Sequence, residues 1–323
     1  MKYAKNVLDL VGNTPLVRLN KVTSGVKPTI LAKLESLNPG GSVKDRIGIS
    51  MLADAERRGF IHEKATIVEP SSGNTGVGLA IACIMKGYSL IVTMPDKMSQ
   101  EKKRLLESYG AKVIVCPTEV PPGHPEHYVS VAKRICKSTP NSFMPNQYDN
   151  PSNPLAHYAT TGREIWDQTD GKLSCLVSGI GTGGTISGVG KYLKERNKEV
   201  RIVGVDPEGS ILKAAFYKEN DIKPKVYMIE GIGEDFVPGS LDMGVIDSIV
   251  AVSDKESYAM ARRLAREEAL LVGSSSGAAV AGAIKVAQEF DSEDLLVTIL
   301  PDRGDRYLSK FYDDEWMKSK GFL

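Results

Sequence analysis

The chain is 323 residues long, which is enough to bury a large core and to form two domains. Its 41 Lys and Arg residues almost balance 40 Asp and Glu residues, leaving a formal net charge of +1. Proteins that bind nucleic acids or membrane surfaces normally carry a basic excess, so this balance argues against both and favours a small-molecule partner.

No apolar run in the sequence approaches the length that spans a bilayer, and no signal-type apolar stretch follows the first residues. We therefore expect a cytoplasmic protein. The cysteines are widely separated within apolar patterns, which predicts neither a zinc site nor a disulfide framework and indicates core thiols. The four are Cys83, Cys116, Cys136 and Cys175.

Strands alternate with helices in the first half of the chain. After a short opening helix, residues 11–19 are predicted to form a turn and a strand. Apolar β-branched strands that alternate with helices predict βαβ units and a parallel sheet. The further strands are predicted at residues 29–34, 66–69, 89–94 and 112–116, and the helices at 73–86 and 99–109.

The alternation stops at residues 117–125, a proline-rich loop that lies either at a site entrance or at an ordinary surface connection. A helix at 126–137 and an irregular segment through 146–151 follow. The layout predicts an α/β fold of two domains, each with a mostly parallel twisted sheet flanked by helices. The second set of strands is predicted at 173–178, 201–206, 248–253 and 295–300.

A turn delivers one lysine to the start of a helix. Residues 38–41 contain a proline and two glycines, whereas Ser42 and the run 43–58 predict an N-cap and its helix. Lys44 then lies in the first helical turn, where the positive end of the helix dipole disfavours a cation. Its amine has reason to lose the charge or to condense with a carbonyl, although an arbitrary lysine in such a place is usually a solvated surface residue.

A polar turn follows the strand at 66–69, with the sequence Glu69-Pro70-Ser71-Ser72-Gly73-Asn74-Thr75-Gly76. Hydroxyls, an amide and exposed backbone N–H groups at a helix N-terminus can receive a carboxylate. A plain capping turn needs only one of these residues, so the surplus favours a binding function.

A glycine-rich loop, residues 178–188, again joins a strand to a helix. Its glycines let the backbone close around a phosphate, and Thr182 and Thr185 add hydroxyl donors. The loop also matches the dinucleotide fingerprint at Gly179, Gly181 and Gly184, with Asp206 placed as a ribose-binding acid would be. A nicotinamide-dependent dehydrogenase is therefore a competing hypothesis, but it leaves the lysine turn and the polar turn unexplained.

A fourth stretch, residues 272–279, consists mostly of serines and other small residues and precedes another predicted helix. Small residues permit close approach to a flat ring, and a serine hydroxyl can face a ring nitrogen. Alone the stretch is typical of a helix cap. Together the four segments offer a reactive amine, a carboxylate site, a phosphate site and a neutral partner for a heterocycle, which are the groups that pyridoxal phosphate requires.

The chain resembles the cystathionine β-synthase and cysteine synthase family of fold-type-II pyridoxal phosphate enzymes over essentially its whole length. The matching motifs are the lysine segment 40–46, the loop 72–76 and the loop 181–185. The resemblance implies that Lys44 holds the cofactor covalently and acts as the general base, that Asn74 hydrogen-bonds the ring hydroxyl, and that Ser275 faces the pyridine nitrogen. It implies that the phosphate is held by Gly181, Thr182, Gly183, Gly184 and Thr185. It implies that the substrate is bound by Ser71, Ser72, Gly73, Thr75, Gln147, Tyr148 and Gly231.

For the domains we expect a smaller substrate-loop domain, residues 1–12 and 38–148, and a larger cofactor-phosphate domain, residues 13–37 and 149–323. The resemblance also implies a homodimer. The sequence contains neither the haem-binding segment of the animal enzymes nor a regulatory module, so we expect no haem and no activation by S-adenosylmethionine.

The family leaves two reactions open: serine with homocysteine, giving cystathionine, and O-acetylserine with sulfide, giving cysteine. Residues 152–158, 204–210, 230–236 and 316–322 resemble the cystathionine β-synthase branch more closely. Glu234, however, stands where the animal and yeast synthases carry tyrosine, and Ser71 stands where threonine is usual. A pseudoenzyme on the same fold is the non-enzyme alternative, which the retained lysine and loops argue against.

Overall fold

The computed structural model describes residues 1, 3–71, 73–96, 98–121, 123–220 and 222–323. The described chain forms two compact units. The first comprises Met1–Val11 and Asn38–Asn153, and the second comprises Gly12–Leu37 and Pro154–Leu323. Within the described ranges, no helix has both the length and the apolar character needed to cross a membrane.

The strands lie where the sequence pattern predicts them, within one or two residues, apart from a two-residue strand that was not predicted. The strands are β1 (Leu16–Arg18), β2 (Thr29–Leu34), β3 (Thr66–Pro70), β4 (Ser89–Pro95), β5 (Lys112–Cys116), β6 (Ser142–Phe143), β7 (Cys175–Gly179), β8 (Arg201–Pro207), β9 (Ser248–Val252) and β10 (Leu295–Leu300). The α-helices are α1 (Lys44–Arg57), α2 (Asn74–Lys86), α3 (Gln100–Ser108), α4 (Tyr128–Ser138), α5 (Ser152–His157), α6 (Arg163–Gln168), α7 (Gly184–Arg196), α8 (Leu212–Phe216), α9 (Asp254–Glu267), α10 (Ser274–Val286) and α11 (Asp314–Ser319).

The first unit is built on a four-stranded sheet in the order β5-β4-β3-β6, with every pair parallel. The missed strand β6 pairs with the start of β3, Thr66 opposite Ser142. Such a short strand carries no periodicity of its own, and only its neighbour defines it. β3 is therefore a central strand, and its last residues lie in the interior of the unit.

The second unit is built on a six-stranded sheet in the order β1-β2-β10-β7-β8-β9. Its pairs are parallel except β1 with β2, where Leu16 lies opposite Lys33. Apolar side chains on both faces form the core of this unit, as expected for a sheet covered by helices. The predicted α/β fold with two mostly parallel sheets is confirmed.

The cysteine prediction is wrong at one position. Cys83, Cys116 and Cys175 are buried, but Cys136 is only partly buried. Cys136 lies near the end of the amphipathic helix α4, on which Val131 and Ala132 are the buried residues. Cys136 lies one turn after Ala132 on the same face of α4, but the burial of that face is incomplete toward the end of the helix.

Candidate functional site

The lysine turn of the first unit has the predicted outline with one correction. Lys44 lies in the first turn of α1, as predicted, but it is the first helical residue, and Val43 and not Ser42 is the N-cap residue. The Ser42 hydroxyl still accepts a hydrogen bond from the Lys44 backbone N–H at 3.2 Å. The turn is closed from inside the helix, because the buried Asp45 carboxylate accepts from the Gly40 N–H at 2.5 Å. The side chain that closes the turn therefore belongs to Asp45, inside the helix, whereas the sequence pattern assigned the capping role to Ser42.

Two glycines bring the start of α1 against α2. A Cβ added at Gly78 would lie 2.4 Å from the Lys44 carbonyl oxygen, and one added at Gly48 would lie 2.5 Å from the Gly78 carbonyl carbon. Real Cβ atoms do not approach backbone so closely, so only glycine fits at either position. The approach holds half-buried Lys44 beside the first turns of the helix that carries Asn74 and Thr75.

Ser71 organises the polar turn between β3 and α2. Its hydroxyl accepts from the backbone N–H groups of Gly73 at 3.3 Å and Gly76 at 3.2 Å. Gly73 is the N-cap of α2 and has φ 145°, which strongly favours glycine. Ser72, a predicted substrate-binding residue, lies outside the described residues. The turn therefore presents a helix start at Asn74, a place suited to an anion.

A second segment of the first unit reaches the same turn. The Thr75 hydroxyl donates to Gln147 Oε1 at 2.6 Å, so the structure brings these two predicted substrate-binding residues together. The next residue, Tyr148, is half-buried. Sequence reasoning missed the group that holds the segment: Glu69, fully buried, accepts from the backbone N–H groups of Asn146 at 2.8 Å and Gln147 at 3.0 Å. The sequence did contain a signal for Glu69, because a carboxylate at the end of an otherwise apolar strand indicates a buried acid that needs partners.

The glycine-rich loop of the second unit joins β7 to α7. Gly183 is the N-cap of α7 and is left-handed at φ 81°. A Cβ there would lie 2.5 Å from the Leu241 Cβ, and one at Gly181 would lie 2.5 Å from the Gly231 carbonyl oxygen. The backbone therefore curls tightly into the helix start, where Gly184 and Thr185 occupy the first turn. Backbone N–H groups of a first turn lack intrahelical partners and suit a phosphate.

Gly231 and Ser275 lie beside this loop within the second unit. The segment around Gly231 is tied to the loop by the Gly233 N–H, which donates to the Ile180 carbonyl at 2.7 Å. A Cβ added at Gly231 would lie 3.9 Å from Ser275 Oγ. Ser275 is buried in the first turn of α10 and is a neutral hydroxyl. The exposed Gly231 thus lies between the glycine-rich loop and Ser275 at the start of α10.

A buried histidine that the sequence analysis did not single out supports the loop. His157 Nε2 lies 3.2 Å from Thr185 Oγ1, and its Nδ1 lies 2.9 Å from Thr161 Oγ1. The imidazole therefore fixes the orientation of the Thr185 hydroxyl. No local pattern marks His157, because the contact joins residues 28 positions apart through the packing of α7 on the helical stretch before β7.

Two residues weighed in the sequence have structural partners. Asp206 lies near the end of β8, and its Oδ2 accepts from the Lys213 backbone N–H at 2.8 Å, the contact of a carboxylate at a helix start. Burial raises the pKa of Asp206 to about 6. Glu230 pairs with Lys310 at 2.6 Å. The acid that would have bound a ribose is therefore engaged in local structure.

The donor sets fit a phosphorylated carbonyl cofactor. The loop at Gly181–Thr185 offers N–H groups and hydroxyls with a backbone so close that side chains are excluded, and Ser275 adds a neutral hydroxyl. The first unit supplies the primary amine of Lys44 at a helix start. These donor types are those required by enzymes that bind a phosphorylated aldehyde through a lysine.

The family model described as "Pyridoxal-phosphate dependent enzyme" matches residues 7–302, and the chain belongs to this family. This confirms the resemblance and the cofactor, pyridoxal 5'-phosphate, and it does not support the dehydrogenase hypothesis. The chain is 49% identical to a protein named cystathionine beta-synthase from Apis mellifera, over 100% of this chain and 64% of that protein. It therefore spans less than two thirds of the length of that relative.

Two solved structures have the same fold along nearly their whole length. The O-acetylserine dependent cystathionine beta-synthase from Helicobacter pylori is 41% identical, with a TM-score of 0.88 and coverage of 96% of this chain and 99% of that one. A hydrogen sulfide-producing enzyme from Fusobacterium nucleatum is 35% identical, with a TM-score of 0.87 and coverage of 95% and 98%.

Proposed function

We propose that the protein is a β-replacement enzyme that condenses L-serine, or O-acetyl-L-serine, with L-homocysteine to give cystathionine. The observation that carries the proposal is that one chain holds both a lysine at a helix start beside a polar turn and a phosphate-type loop beside a neutral serine. The names of the relatives from Apis mellifera and Helicobacter pylori support it.

The roles of the residues follow from their chemistry. Pyridoxal phosphate, when bound, supplies a covalent attachment for the substrate amino group and an electron sink for charge that develops at Cα. Lys44 would hold the cofactor, and its freed amine would remove the Cα proton. A carboxylate facing the ring nitrogen would favour its protonated form, whereas the neutral hydroxyl of Ser275 would not. The cofactor would then be a weak electron sink, so that loss of the β-substituent outcompetes transamination.

The remaining donors would orient the two molecules. The N–H groups and hydroxyls of Gly181–Thr185 would hold the phosphate, and Asn74 would hydrogen-bond the ring hydroxyl. Ser71, Gly73, Thr75 and Gln147 would bind the substrate carboxylate, with Ser72, Tyr148 and Gly231 completing the substrate site. The carboxylate would then lie at the start of α2, where the helix dipole favours an anion.

Cysteine synthesis from O-acetylserine and sulfide is the second candidate. It is favoured by Glu234, which replaces the tyrosine of the animal and yeast synthases in the segment next to Gly231. Products formed from serine or O-acetylserine, each offered homocysteine or sulfide, decide between the two, and a strong preference for sulfide would replace the first proposal with this one.

The proposal extends to the assembly and the location. The substrate-loop domain would comprise residues 1–12 and 38–148, and the cofactor-phosphate domain residues 13–37 and 149–323. We expect a homodimer, measured by light scattering on the purified protein, and a cytoplasmic location, measured by cell fractionation. A monomer with full activity would contradict the first expectation.

The direct test concerns Lys44. Purified protein is expected to be yellow and to bleach with borohydride, and Lys44→Ala is expected to abolish the covalent attachment and the cystathionine-forming activity. Lys103→Ala, on the partly exposed face of α3, is the matched control and should retain both. Colourless wild-type protein that binds NAD, or a Lys44→Ala variant that keeps its activity, would refute the proposed function.

A further inference from the structure

A fully buried carboxylate joins the two segments of the first unit that carry the predicted substrate-binding residues. Glu69 lies near the end of the central strand β3, two residues before Ser71. Its Oε2 accepts from the Asn146 N–H at 2.8 Å, and its Oε1 accepts from the Gln147 N–H at 3.0 Å. Each oxygen thus holds one of two consecutive N–H groups.

The segment that Glu69 holds is a turn, in which the Asn146 carbonyl accepts from the Asp149 and Asn150 N–H groups. Asn146 is left-handed at φ 55°, which is uncommon for a residue with a side chain. The geometry turns the Gln147 side chain toward α2, where its Oε1 accepts from the Thr75 hydroxyl at 2.6 Å. The Gln147 carbonyl in turn accepts from Asn153 Nδ2 at 2.8 Å. The path from Glu69 to Thr75 therefore passes through a single residue.

Glu69 places an acidic side chain in a fully buried position. Burying a carboxylate is costly unless hydrogen bonds compensate it, and here burial raises the pKa of Glu69 to about 7 although the two N–H groups lower it. Only a carboxylate offers two acceptor oxygens and no donor to a pair of N–H groups. The unfavourable burial of Glu69 thus occurs where residues 146–147 contact the polar turn through Thr75.

We propose that Glu69 is a positioning residue for the β-replacement reaction: its carboxylate fixes the backbone of Asn146 and Gln147, so that Gln147 is locked to Thr75 and preorganised for the amino-acid substrate. This inference rests on the proposed function. Glu69 itself touches no substrate in this assignment. Its effect on the reaction passes through the Gln147 side chain.

The test uses Glu69→Gln, which keeps the size of the side chain but sets an amide N–H against one backbone donor. The KM for the amino-acid substrate, L-serine or O-acetyl-L-serine, is expected to rise about 10-fold or more, as for the loss of one hydrogen bond to a charged group. The kcat should stay within about threefold, because Lys44 and its surroundings are unchanged.

A double-mutant cycle separates positioning from general damage. In a Gln147→Ala background, Glu69→Gln should raise KM by less than about twofold, because the side chain through which Glu69 acts is gone. Glu56→Gln is the matched control: the Glu56 carboxylate also accepts two bonds in the first unit, from Lys86 and Tyr88, both at 2.7 Å. It should leave KM unchanged.

The outcomes are distinct. A folded Glu69→Gln variant with wild-type KM, or equal effects of Glu69→Gln with and without Gln147, would overturn the inference alone. If Glu69→Gln does not fold, Thr75→Val breaks the same path at its other end, and an unchanged KM there overturns the inference equally. Wild-type enzyme that forms neither cystathionine nor cysteine would instead refute the proposed function.

Discussion

The close crossing of α1 and α2 makes Gly78→Ala the most informative perturbation of the fold around Lys44. The added Cβ would lie 2.4 Å from the Lys44 carbonyl oxygen, 2.8 Å from its carbonyl carbon and 3.0 Å from the Asp45 Cα. All three are backbone atoms, so no side-chain rotation relieves the overlap. Ordinary contact begins near 3.4 Å, so the two helices must separate by about 1 Å. A gap of about that size removes roughly a quarter to a half of the dispersion energy of each atom pair that it separates.

The expected loss of stability follows from two opposing contributions. Overpacking of this severity costs about 3 kcal/mol, whereas alanine in a helix interior gains about 1 kcal/mol over glycine, leaving a net destabilisation of about 2 kcal/mol. A displacement of Lys44 by about 1 Å should also lower kcat by about 100-fold. Denaturant unfolding followed by circular dichroism measures the first effect, and product formation measures the second.

The control lies in the same helix. A Cβ at Gly76 meets side-chain atoms, Leu106 Cδ2 at 3.0 Å and Val92 Cγ2 at 3.3 Å, which can yield by a few tenths of an ångström. Gly76→Ala should therefore stay within about 1 kcal/mol of wild type. If Gly78→Ala is as stable as Gly76→Ala, the contact between the helix backbones is not tight and the reasoning is refuted.

Three further expectations concern pH and the cofactor. Because the pKa of buried Glu69 is raised from 4.5 to about 7, the folded protein holds a proton that the unfolded chain has released, and stability should fall as pH rises through this window, by on the order of 3 kcal/mol. Unfolding midpoints across the window should lose this component in Glu69→Gln, and identical pH profiles would contradict it. Gly183→Ala, with φ 81° and a Cβ 2.5 Å from that of Leu241, should weaken pyridoxal phosphate binding to the apoprotein about 10-fold or more, unlike Gly244→Ala. His157→Leu should weaken pyridoxal phosphate binding about 10-fold, because the Thr185 hydroxyl loses its hydrogen-bond partner. Unchanged affinity in a titration followed by absorbance would exclude this role of His157.

Local chemistry explains why much of this protein was predictable. The strands Thr29–Leu34, Lys112–Cys116 and Leu295–Leu300 have the predicted bounds, because apolar β-branched runs end at turn residues that are visible in the sequence. Lys44 lies in the first turn of α1 as predicted, since the proline and glycines at residues 39–41 keep the helix from beginning before them. The polar turn and the glycine-rich loop are contiguous motifs as well.

The sequence by itself determined the positions of every described strand except β6 and of the helices α1 to α4, that the sheets are mostly parallel, and which contiguous motifs resemble a pyridoxal phosphate site. Only the tertiary structure decided that Asp45 closes the lysine turn, that Glu69 holds residues 77 and 78 positions away, and that His157 lies behind Thr185. The physical reason is range. Strand patterns and turns are set by neighbours in the chain, whereas a buried carboxylate or imidazole acquires its partners only when distant elements pack and water is excluded.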